Sequence, residues 1–184
     1  MPEKRLEYYP KKRQRKYRNR GRLKYLSIWL SFAAVAAGLG LAVLSYLHFL
    51  TLGYMLGPFQ LNHWAGWLST GFITIYAPLF INLKKRNPEI YRKLIKVHEI
   101  GFIAAFILVS LHIGWQVRRV FPPELGTGIT LYISLLVLVV TGIMQRNQIL
   151  ATRMRTLRLV HLSMVINFFL MIVFHVIRAL LFLS

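Results

Sequence analysis

Four of the six histidines in this chain fall into two pairs of equal spacing: His98 with His112, and His161 with His175. The segments they bound, HEIGFIAAFILVSLH and HLSMVINFFLMIVFH, are apolar almost throughout. Along an α-helix, fourteen residues advance about 1400°, within about 40° of four full turns, and rise about 21 Å. Each pair therefore lies on one face of its helix, with one imidazole near each end of a membrane-length stretch. Random placement of six histidines would give about 0.15 pairs at this spacing, and the chain has two.

Imidazole ligates a transition metal through one nitrogen while a nearby acceptor fixes the other. If the two segments run in the same direction, His98 and His161 share one depth, and His112 and His175 share another. Two facing imidazoles form an axial pair for a haem iron, so two depths make two haems b. The plainer alternative is four structural histidines bonding between helices.

The elements that must position these residues are membrane spans. The chain of 184 residues is 56 % hydrophobic with a mean hydropathy of +0.50, too apolar for an ordinary soluble domain. Five spans are predicted: Tyr25 to Leu50, Asn62 to Leu83, Val97 to Val117, Ile129 to Met144 and Leu159 to Leu183. The fold class is thus an all-α, polytopic membrane helical bundle. It divides into a basic arm, residues 1–24, and a transmembrane domain, residues 25–184. The chain has no cysteine, which excludes disulfides, thiolate metal sites and covalent haem attachment.

The formal charge of +19 is unevenly placed, with eleven Lys and Arg between Pro2 and Lys24. Such an arm leading into a span reads as a juxtamembrane segment touching anionic membrane lipid, with partner docking as the alternative and no nucleic acid implied. It lacks the short apolar stretch and cleavage site of a signal peptide. The connections at 83–97 and 145–158 are also rich in Lys and Arg, whereas the opposite loops carry only Arg118 and Arg119. The positive-inside rule then predicts a cytoplasmic N-terminus in the plasma membrane of a prokaryote.

HEIGF (His98 to Phe102), TGIM (Thr141 to Met144) and RLVH (Arg158 to His161), with the paired histidine helices, resemble the haem core of membrane diheme b-type cytochromes. The likeness covers about Asn62 to Leu183 and extends to the ferric-reductase-like transmembrane domain. It implies His98, His112, His161 and His175 as haem iron ligands, with Arg178 and Arg158 near propionates. Gly101 and Gly114 would admit a haem edge, or else serve helix packing. Two departures stand out: no flavin or nicotinamide domain follows the fifth span, and no PEWY-like loop is present. The expected role is an electron-transfer subunit joining the quinone/quinol pool to a partner redox protein, with other subunits of a respiratory-chain complex as partners. A ferric-reductase-like conduit fed by a separate flavoprotein, and a non-redox helical scaffold, are the alternatives.

Other residues carry weaker signals. His48 and His63, with Tyr54, Trp64 and Trp67, read as an aromatic interface belt or as a quinol site. Glu99 is the acid within a span and would relay protons or pair with Lys96. Asn167 is expected to bond between helices. Ala33, Ala36, Ala37 and Gly40 have the small-residue spacing of close helix packing.

Overall fold

Apolar runs of this length leave backbone N–H and C=O groups no water to bond, so each closes its hydrogen bonds internally as helix. The computed structural model of the chain describes residues 11–119 and 126–181. Its helices are α1 (Lys11–Tyr46), α2 (Leu61–Arg86), α3 (Tyr91–Arg119), α4 (Gly126–Arg146) and α5 (Met154–Leu181). Among the described residues, these five contain stretches long and apolar enough to cross a membrane. The predicted all-α bundle is therefore what the chain forms. Helix α1 runs through position 24 without a break, so the basic segment from Lys11 onward continues the first span; residues 1–10 lie outside the described residues.

Helix ends follow local chemistry. Helix α1 stops at Tyr46, four residues before the expected Leu50. His48 there takes a left-handed φ of 68°, while its N–H bonds the Ser45 carbonyl and the Phe49 N–H bonds the Leu44 carbonyl. That is a Schellman stop with histidine in the place usually held by glycine. Gln148 closes α4 in the same way, with φ 54° and the Ile149 N–H on the Met144 carbonyl. Helix α2 ends in Lys84, Lys85 and Arg86, cations that suit a helix C-terminus, just before Pro88. A short hairpin, β1 (Met55–Leu56) paired with β2 (Phe59–Gln60), joins α1 to α2 through Gly57 at φ +66°.

Helix α3 packs against α1, α2 and α4, and α5 packs chiefly against α4. Helix α4 is the enclosed member: 39 % of its most apolar window is buried, against at most 17 % for the others. The core combines Leu131, Leu135, Leu138 and Ile143 of α4 with Phe106 of α3, Ile73 of α2, and Phe168 and Ile172 of α5. The α1 face meeting α3 carries Ser31, Val35, Gly38, Ala42 and Ser45. Gly38 admits the Phe106 ring, Gly114 lies on the Ala42 backbone, and Ser45 bonds the Leu111 carbonyl at 3.3 Å. The expected Ala33, Ala36, Ala37 and Gly40 stripe faces outward instead, with Gly40 touching nothing. Small residues on both ridges of α1 made the two faces look alike in sequence, and Ser31 and Ser45 mark the one that packs.

Candidate functional site

Helices α3 and α5 run parallel with antiparallel α4 beside both, and they make no extended contact with each other. His98 nevertheless lies within electrostatic reach of His161, and His112 within reach of His175. His112 lies within the same reach of His63.

On the α4 side the arrangement repeats. Thr141 Oγ1 lies 2.9 Å from His161 Nδ1, and Thr127 Oγ1 lies 3.1 Å from His175 Nδ1. The Thr141 hydroxyl donates its hydrogen to the Val137 carbonyl at 2.6 Å. Toward His161 the oxygen therefore accepts, which puts the imidazole proton on Nδ1 and leaves the Nε2 lone pair for a metal. The glycine after each threonine passes the same ring. A Cβ on Gly142 would stand 3.7 Å from His161, and one on Gly128 would stand 3.6 Å from His175. The tripeptide TGI occurs at 127–129 and 141–143, fourteen residues apart, in antiparallel register with the fourteen between the histidines. This repeat was the sequence signal for Thr127, Gly128 and Gly142 as site residues, which a search limited to metal ligands passes over.

The α2 side shows the same period with different chemistry. His112 Nδ1 donates to the Asn62 backbone carbonyl at 2.9 Å, again freeing Nε2, and a Cβ on Gly66 would come within 3.1–3.3 Å of the ring. Fourteen residues later in α2 stand Tyr76 and Phe80, flanking His98. The Phe80 ring stacks on that imidazole at 4.6 Å between centroids, Phe102 lies 4.4 Å away, and Tyr76 bonds the Leu94 carbonyl. His98 Nδ1 is buried without a hydrogen-bond partner among the described residues. The two depths thus differ: one imidazole is anchored beside a glycine, the other boxed by aromatic rings.

Arg178, half-buried, lies within electrostatic reach of His175, whereas Arg158 is exposed at the other end of α5. Gly101 lies against the Phe72 ring and Gly114 against the Ala42 backbone, both close helix–helix contacts. Glu99 pairs with Arg146 across the α3–α4 contact rather than with Lys96; the Schellman turn after α4 holds Arg146 within reach. His63 sits 3.1 Å from Gln116 Nε2 with its ring 6.2 Å from that of His112, while His48 is exposed, edge-on to Trp115 at 6.4 Å. Asn62, fully buried, has no hydrogen-bond partner for either side-chain atom among the described residues. Asn167 bonds Ser134 at 2.8 Å, the interhelical role expected of it. The Arg118 and Arg119 side chains lie outside the described residues.

Among the described residues, no cluster of three or more His, Asp or Glu side chains could hold a bare metal ion. Comparison with known protein families, curated proteins and solved structures finds no match for the chain.

Proposed function

We propose that this chain is a membrane diheme b-type cytochrome subunit that transfers electrons across the bilayer between the quinone/quinol pool and a partner redox protein of a respiratory-type complex. The observation that carries this reading is the double use of one period. Two histidine pairs stand at two depths, and three of the four rings have Nδ1 engaged by a backbone carbonyl or a threonine. That is the outer-shell arrangement of metal-bound imidazole. Glycines beside those three rings let each imidazole lie close against a neighbouring helix backbone.

His98 with His161, and His112 with His175, would hold two haems b, and bound haem would supply reversible one-electron chemistry. The chain's own part is to hold each imidazole in one tautomer, to exclude water through the apolar walls of α4 and α5, and to place Arg178 where an anionic propionate would need a cation. Positive-inside bias puts the end bearing Lys84, Lys85, Arg86 and Arg153 in the cytoplasm. At the opposite end His63 and Gln116, in contact with each other, lie beside His112. They offer hydrogen bonds to a quinol head, with His48 at the margin.

A reduced-minus-oxidised spectrum with pyridine haemochrome quantitation tests this reading. Two haems b per chain are expected, falling to one in His112→Ala. A folded, colourless protein from haem-replete cells would remove the reading and leave a helical scaffold.

A further inference from the structure

At the basic end, a cleft of about 490 Å³ opens between α1, α3 and α4. Its floor is polar. The Glu99 carboxylate, 13 % exposed, pairs with Arg146 and accepts from Ser31 Oγ at 3.4 Å, while Ser31 is itself buried. Lys96 and Ser27 complete the polar lining, and Leu26, Leu30, Ala34, Ile100 and Ile103 form the walls. Leu26, Leu30 and Ile100 are largely exposed, so the cleft faces sideways toward acyl chains.

Two cations and one carboxylate line this cleft, and the carboxylate pairs with Arg146. Arg146 keeps a third of its side chain exposed after pairing with Glu99, and a guanidinium has five N–H donors. Lys96 stands exposed one helical turn before Glu99. The surplus positive charge lies at headgroup depth, above an apolar slot. A basic recess between transmembrane helices of this form matches an anionic lipid headgroup above its chains. We infer that the Lys96–Arg146 cleft binds one acidic phospholipid, with the phosphodiester between Lys96 and Arg146 and an acyl chain along Leu30, Ile100 and Ile103. Lys96 and Glu99 flank His98 in sequence but line the α1 side of α3, whereas His98 lies against Tyr76 and Phe80 of α2. Lipid binding in the cleft does not require haem.

The test is native mass spectrometry of the full chain in detergent, with phosphatidylglycerol and phosphatidylcholine titrated separately. Wild type is expected to retain one phosphatidylglycerol at least about 10-fold more tightly than phosphatidylcholine, a difference of about 1.4 kcal/mol. Lys96→Gln should erase that preference. Ala34→Phe, which fills the slot while keeping every charge, should weaken retention of the lipid. Lys84→Gln, at the same end but outside the cleft, should change nothing. Equal loss in Lys84→Gln would overturn the site in favour of diffuse surface attraction. A wild-type protein without a headgroup preference would overturn it outright, as would co-purification of a quinone that phosphatidylglycerol fails to displace.

Discussion

Thr141 accepts the Nδ1 proton of His161 at 2.9 Å because its own hydroxyl proton is already committed to the Val137 carbonyl at 2.6 Å. The tautomer of a prospective ligand is thereby set by a helix that contributes no ligand. Replacing Thr141 by valine keeps the shape and removes the acceptor. Outer-shell partners of this kind are worth about 10–100-fold in metal affinity. Thr141→Val is expected to weaken one haem by that factor in a titration of haem-free protein and to leave the other unchanged. Equal loss at both sites, or no loss, would count against the tautomer argument.

Glycine beside an imidazole makes a graded prediction. A Cβ on Gly66 meets the His112 ring at 3.1 Å, tighter than ordinary contact, whereas Gly142 and Gly128 leave 3.7 and 3.6 Å to theirs. Gly66→Val should cut haem stoichiometry from two to one. Gly128→Ala and Gly142→Ala should keep both haems, and pyridine haemochrome counts on the three variants distinguish the cases.

Packing glycines behave differently. A Cβ on Gly101 would overlap the Phe72 ring, and one on Gly114 would overlap the Ala42 carbonyl, which belongs to the backbone. Overpacking of this kind costs about 1–3 kcal/mol. Gly101→Ala is expected to be rescued by Phe72→Leu. Gly114→Ala has no side chain to trim and should stay destabilised with any side chain at position 42. Thermal unfolding in detergent reads both effects.

Asn167 and Ser134 form a hydrogen bond between α5 and α4 at mid-span. Interhelical bonds in membranes average about 0.6 kcal/mol and reach about 1.7 kcal/mol. A double-mutant cycle of Asn167→Leu and Ser134→Ala should give a coupling in that range, with haem content intact. A coupling near zero would show that the amide is satisfied elsewhere.

The spans were legible because hydropathy alone decides where a chain can cross a bilayer, and the histidine depths followed from helical rise. The partners of the ligands were not. TGIM marked Thr141 and Gly142 in sequence, but only the antiparallel register of α4 and α5 sets them against His161. The first span was expected to run to Leu50 with His48 near its end, but Schellman geometry, a matter of one positive φ, stops the helix at Tyr46. Glu99 has Lys96 one turn away in sequence and Arg146 across a helix contact. Sequence left Glu99 open between proton relay and pairing with Lys96, and the α3–α4 packing pairs it with Arg146.

The TGI repeat in α4 has a consequence for how this protein can change over time. Both threonines and both glycines sit on one rigid rod, so α4 acts as a ruler read at two marks. Inserting or deleting a single residue between positions 129 and 141 would swing one mark about 100° away from its imidazole while the other stayed in place. The stretch from Gly128 to Thr141 can accept substitutions on its lipid side but no change in length.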